Sequence, residues 1–315
     1  MQTVFRHKRW YMTYPSVQFD KFSAMGNQRT DFEACYEFTE KRRQIWGMHC
    51  HDFYELYVHL QGGHYYSLDQ HIYEMHPNQL FIVPPFSMHG FVIHQELLNY
   101  ERAFLYVSAD TLQLAGCGQL DFDLFFQSQA AKGNYLFSMV PETAQKCRDL
   151  IIELKENQQK EGSLARHKDY ALLLPILNLM CETVEQGHSS STVDPINNIM
   201  YRIWIYVNEH YMEKISVDDL AKRFGLSYSY LSHEFKKYTN RSVYDYILYR
   251  RIMLAKKLIP DSDSMNTVAE QCGFDSYSNF LRIFNRIVGI SPHTYKKAWG
   301  KNRLNHEQEF SRKYE

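Results

Sequence analysis

The sequence predicts an α+β protein of several domains: an N-terminal antiparallel β-barrel, a pair of connecting helices, and an all-α C-terminal domain built from two copies of one helix-turn-helix unit. Three observations carry this. Between Phe32 and Tyr106, short runs rich in Tyr, Phe, Val and Ile (FYELYVHL, HYYSL, QLFIVP, RAFLYV) are separated by turn residues such as QGG, DQ and HPN. After Pro141 the apolar residues recur at helical spacing. Further on, ISVDDLAKRFGLSYSYLSHEFKKYTNRS and MNTVAEQCGFDSYSNFLRIFNRIVGISP align with each other. At 315 residues, the chain is long enough for two domains with cores of their own.

Residues 1–140 are assigned to the barrel, with residues 1–30 as an arm or edge strand. Within it, HCHDFYELYVHLQG places His49, His51, Phe53, Glu55, Tyr57 and His59 at odd positions, hence on one face of a strand. Leu56, Val58 and Leu60 take the other face. A second run, NQLFIVPPFSMHG, brings in His89. Three imidazoles and a carboxylate on facing strands can ligate Zn²⁺, Fe²⁺, Mn²⁺ or Ni²⁺, or can line a pocket and hydrogen-bond an effector. The two runs resemble the two cupin motifs: HxHxxxE with Gly62 beyond it, then Pro84 with His89 five residues on. Asn78 and Phe86 stand where the second motif has glycines, and Ile93 where it often has Asn.

A metal-free effector pocket of His49, His51, Glu55, His89, Trp46 and Tyr57, with no cofactor, is one reading. A divalent metal on His49, His51, Glu55 and His89 is the alternative. Trp46, Tyr54, Tyr57, Tyr65 and Tyr66 offer ring faces that suit a sugar, although any one of them fits plain core equally well. The other histidines here (His59, His64, His71, His76, His94) read as surface or structural.

Residues 110–140 predict a helical turn and a loop against the barrel. Residues 141–186 predict two helices. The first carries Cys147, Leu150, Ile151 and Leu154 at i, i+3, i+4, i+7 and fades by Gly162. The second starts near Ser163 and carries Leu172, Leu173, Ile176, Leu179, Met180 and Val184, with Pro175 expected to kink or divide it. Their apolar faces suit a dimer seam or packing on their own barrel. GHSSSTVD, residues 187–194, is the linker. Residues 195–300 form the helical domain and 301–315 a charged tail.

In the repeated unit, Leu220-Ala221 matches Val268-Ala269, Gly225 matches Gly273, Phe235 matches Phe284, and Ser242 matches Ser291. A small Ala lets one helix cross another closely, a Gly supplies φ > 0 in the turn, and Ser227 and Ser276 sit at N-cap positions. The second helix of each unit has one apolar face (Leu231, Phe235, Tyr238; Tyr277, Phe280, Phe284, Ile287) and one polar face. The polar faces carry Ser229, Ser232, His233 and Lys236 in the first copy, and Ser278, Asn279, Arg282 and Arg286 in the second. A solvated helical bundle would show one such pattern; two in register point to major-groove recognition of double-stranded DNA.

These stretches, with the connecting RRIMLAKKLI and the final HTYKK, resemble the DNA-binding domain of the AraC/XylS family of transcription regulators over about 100 residues. The resemblance implies that one chain sets both recognition helices in successive major grooves. By motif position it makes Ser229, Ser232, His233, Ser278, Asn279 and Arg282 the base-reading candidates. It also agrees with a cupin-like effector domain, and by analogy favours the metal-free pocket over the metal site and a dimer seam along the helices of residues 141–186.

Charge partitions the same way. From Pro195 onward there are 19 Lys and Arg against 13 Asp and Glu, and before it 16 against 23. Six cysteines without a CxxC pair, no apolar leader and no run long enough to span a membrane predict a reduced, cytoplasmic protein with no membrane partner. The expectation is an effector-responsive regulator of carbohydrate genes, not an enzyme. It would act as a homodimer on double-stranded DNA, with RNA polymerase as a further partner. The alternatives are a metal-dependent cupin enzyme or metal sensor fused to a DNA-binding module, and a constitutive DNA-binding protein whose barrel only dimerises.

Overall fold

The computed structural model describes residues 32–40, 49–63, 65–69, 71–91, 99–187, 192–193, 199–239 and 241–297. The arm, Trp46, His64, His94 and the tail lie outside these.

The N-terminal half contains β1 (Phe32–Thr39), β2 (Tyr54–Gln61), β3 (Tyr65–Leu68), β4 (His71–Glu74), β5 (Gln79–Val83), β6 (His89–Phe91) and β7 (Tyr100–Val107). It continues through α1 (Ala109–Ala115), α2 (Phe122–Ala131), β8 (Leu136–Ser138), α3 (Pro141–Asn157) and α4 (Ser163–Glu185). Residues 110–140 thus hold two helices and a strand rather than a turn and a loop. Ser108 and Asp121 cap the two helices, accepting from Thr111 N–H and Leu124 N–H.

Among the described residues the strands form two antiparallel sheets, β1-β7-β2-β5-β8 and β6-β3-β4 extended by β9 (Thr192–Val193), and not the closed barrel expected. The reason lies in strand length. β3 and β4 have four residues and β6 three, too short to bend from one sheet into the other. Aromatic rings fill the space between the sheets instead. Tyr57 and Phe81 of the larger sheet meet Tyr66 of the smaller one at ring separations of 5.0–5.7 Å.

The even positions of β2 point away from this core. Tyr54, Leu56 and Val58, with Leu80, Ile82, Ala103 and Leu105, pack against Cys147, Ile151 and Leu154 of α3 and Leu173, Ile176, Leu177 and Met180 of α4. The apolar helix faces predicted as a dimer seam therefore cover the protomer's own sheet. Without them one whole side of that sheet would meet water. α4 also runs unbroken through Pro175, because Leu172, Leu173, Ile176 and Leu177 are buried on either side of it.

The linker contributes β9 (Thr192–Val193), which pairs with Ile72 and Tyr73 of β4. The helical domain follows as α5 (Ile199–His210), α6 (Val217–Arg223), α7 (Tyr228–Thr239), α8 (Val243–Leu258), α9 (Met265–Gln271) and α10 (Tyr277–Val288), with residues 292–297 also helical. Trp204, Leu231, Phe235, Ile252, Phe280 and Phe284 are core residues. Cys50, Ile72 and Met88 of the sandwich belong to the same cluster, so the two domains share buried surface.

Candidate nucleic-acid interface and ligand site

The two repeated units fold alike down to their hydrogen bonds. In α6–α7 the N–H of Leu226 reaches back to Ala221 C=O (2.9 Å), and in α9–α10 the N–H of Phe274 reaches Ala269 C=O (3.0 Å). That six-residue closure needs a left-handed residue in between. Gly225 (φ 66°) and Gly273 (φ 80°) supply it. Ser227 Oγ accepts from Tyr230 N–H and Ser276 Oγ from Asn279 N–H, starting each second helix. Ala221 and Ala269 are buried at the crossings.

The predicted polar faces of α7 and α10 are turned outward. Ser229, His233, Lys236, Ser278, Arg282 and Arg286 are exposed, while Ser232 and Asn279 are half-buried. His233 is 77% exposed and lies 3.0 Å from Glu234. Arg282 donates to Asn279 Oδ1 at 2.9 Å, which holds the guanidinium along the helix face. Behind them, Leu231 and Phe235, and Phe280, Ile283, Phe284 and Ile287, are sealed in the core. Sequence reasoning passed over Tyr228 and Tyr230, which flank Ser229 and are 53% and 50% exposed; the alternating SYSY run was the available signal.

In the sandwich, the ligating atoms of His49, His51, Glu55 and His89 lie within 4.8 Å of one another. A backbone bridge between His49 and His89 sets two of them side by side. His51 Nδ1 lies 2.8 Å from Phe53 C=O, and His89 Nδ1 lies 2.9 Å from Ser87 C=O. A carbonyl only accepts, so both Nδ1 atoms carry the proton and both Nε2 atoms turn inward. There they meet Glu55 Oε2 at 3.4 and 3.3 Å. His89 Nε2 is buried without a hydrogen bond of its own.

Glu55 Oε1 is held by Arg102 at 3.2 Å, and Arg102 also binds Glu37 at 3.0 Å. Burial pushes the Glu55 carboxyl up, but His51, His89 and Arg102 outweigh it and hold it well below the usual carboxylate range. Burial pushes the His51 imidazole down. A proton on Nε2 or a cation set between the rings and the carboxylate can each satisfy these contacts. The donor set of three imidazoles and one carboxylate fits a divalent transition metal, and the Nδ1–H bonds are the outer support such ligands require.

Tyr57 lies against Arg102, whose guanidinium is 5.4 Å from its ring centre. It is fully buried, stacked on Phe81, with its hydroxyl 2.8 Å from Tyr100 and 3.2 Å from His59. It is packed among rings and not set on an open wall. His59 is core as well, its imidazole pushed down to about 3 by burial. Arg102 was missed, although an Arg inside the apolar run RAFLYV was a signal.

Comparison with known proteins agrees with both halves. Residues 33–173 match the AraC-like ligand binding domain and residues 220–298 a helix-turn-helix domain, together more than half of the chain. Three relatives illustrate the range. The uncharacterized HTH-type transcriptional regulator YdiP of Escherichia coli K12 is 32% identical over 36% of this chain and 37% of its own length. The probable transcriptional regulator LumQ of Photobacterium leiognathi is 31% identical over 52% of this chain and 63% of its own. The HTH-type transcriptional activator RhaS of Escherichia fergusonii is 25% identical over 79% of this chain and 87% of its own. The chain thus spans less than two thirds of the first two relatives and most of the third. With an AraC-like ligand binding domain followed by a helix-turn-helix domain, the chain belongs to the AraC family of transcriptional regulators.

Proposed function

We propose that this protein binds double-stranded DNA sequence-specifically through α7 and α10 and regulates transcription in response to an effector bound by its sandwich domain. The observation that carries this is the pair of matched units, each turning a polar face outward over a sealed apolar one. Ser229, Ser232, His233 and Lys236 serve the first half-site, and Ser278, Asn279, Arg282 and Arg286 the second. Arg282 has the reach and the planar donor fork for a guanine edge. Arg282→Ala is expected to weaken binding to the specific site by about 1–3 kcal/mol and to relax sequence preference there. Fluorescence anisotropy with matched and scrambled duplexes checks this. An equal loss on both would show that Arg282 contacts phosphate only.

The effector site is the cluster of His49, His51, Glu55 and His89. A carbohydrate effector would draw on aromatic faces, but Tyr57, Tyr66 and Phe81 occupy one another's faces. A divalent metal as the effector is the second reading, favoured by the inward Nε2 of His89. The regulator is then a metal sensor rather than an enzyme. Equilibrium dialysis of chelator-free protein against Zn²⁺ is expected to leave a single bound ion per chain, lost in His89→Ala and in Glu55→Ala. Wild type that retains no metal would return the site to an organic effector. A homodimer would use outward helix surfaces such as those around Leu164 and Tyr170, and RNA polymerase is the partner expected of an activator.

A further inference from the structure

The residues of the ligand site alternate with residues that grip the helical domain. His49 and His51 face Glu55 and His89. Cys50, between them, is bound by Tyr249 of α8: one phenol accepts from Cys50 N–H (2.9 Å) and donates to Cys50 C=O (2.5 Å). Asp52, the next residue after His51, makes an ion pair with Lys256, two turns further along the same face of α8. The Nζ–Oδ2 distance is 2.6 Å and both side chains are 1% exposed. Tyr295, beyond α10, donates to the same Oδ2 at 3.4 Å, and Lys256 lies 5.5 Å from the Tyr295 ring centre. Met88, next to His89, lies in the helical domain's apolar cluster. The other edge of the segment is fixed by Phe86 N–H, which donates to His51 C=O at 2.7 Å.

We propose that residues 49–52 couple the ligand site to the DNA-binding domain: a ligand drawn in by His49, His51, Glu55 and His89 is sensed by Tyr249, Lys256 and Tyr295 through Cys50 and Asp52. This rests on the effector reading above and adds its route. α8 joins the two recognition units, so a contact on α8 bears on both at once. A buried ion pair is stable only while both partners keep their geometry. A shift of the backbone at His51 must therefore either carry α8 with it or release it. That gives the two arrangements between which a ligand selects. Coupling of this kind is reciprocal, so loosening α8 must also loosen the ligand site.

Hydrogen–deuterium exchange of the full chain, without DNA or effector, tests this. Tyr249→Phe removes one oxygen and is expected to speed amide exchange of residues 49–55 and 86–91 about tenfold, with residues 141–185 unchanged. Asp52→Asn combined with Lys256→Met removes both charges together and is expected to give the same pattern. From the other side, His89→Ala is expected to speed exchange in residues 246–256. Effects confined to the domain that carries the substitution, in the Tyr249 and His89 variants alike, would overturn the proposal. DNA recognition is tested separately by Arg282→Ala, so the two can fail independently.

Discussion

Arg102→Met is expected to cost about 3–5 kcal/mol of stability, one of the two largest effects of any single substitution considered for this chain. Arg102 is buried between Glu37 and Glu55, at 3.0 and 3.2 Å, and its guanidinium lies 4.2 Å from the Phe104 ring centre. Met keeps the apolar stem and the ring contact but leaves two carboxylates without their cation. Glu55 is 1% exposed, so water cannot replace what is lost. The carboxylate would then depend on His51 and His89 alone. The expected readouts are a lower urea midpoint and weaker retention of any ligand at His89. Adding Glu37→Gln and Glu55→Gln to the Met variant is expected to recover part of the stability, because removing a whole buried charge group is far cheaper than stranding half of it. A single-variant loss under about 1 kcal/mol would mean that the group behaves as a surface pair.

Gly273→Ala is the second. It is expected to destabilise the chain by roughly 2–6 kcal/mol, through left-handed backbone strain and overpacking together. Gly273 has φ 80°, and a Cβ built on it would sit 2.1 Å from the Met212 carbonyl oxygen. Backbone cannot rotate away as a side-chain tip can, so α9 and α10 would have to move off the α5 end of the domain. Gly225, its counterpart in the first unit, has φ 66° and nothing within 4 Å of such a Cβ. Gly225→Ala should therefore show the strain alone, about 1–3 kcal/mol. Thermal or urea unfolding of the two variants in parallel separates the terms. Equal losses would mean that the Met212 contact relaxes without cost.

The matched units were legible because a helix-turn-helix is a local structure. Its turn needs Gly at one place, its crossing needs Ala, its start needs a capping Ser, and its two faces follow from a 3.6-residue period. All of these lie within about 25 residues. The odd-position pattern from His49 to His59 was legible for the same reason, since alternation is a property of any strand. Parity separated the two faces of β2, but that one meets helices and the other rings was decided by packing.

What sequence alone determined here is therefore whatever depends on neighbours along the chain: the two recognition units, the strand parity and the clustering of three His with Glu55. Tertiary structure alone decided what depends on neighbours in space. It left the sheets open as a sandwich, spent the helix faces on the protomer's own sheet, brought Arg102 to Glu55, and joined Asp52 to Lys256 across 204 residues of sequence. Lys256 did stand on an apolar face with Tyr249, Ile252 and Met253, which marks a buried cation in need of an anion. No local rule names that anion, because a charge is neutralised by whichever partner the fold carries to it, and that distance is fixed only when both domains have packed.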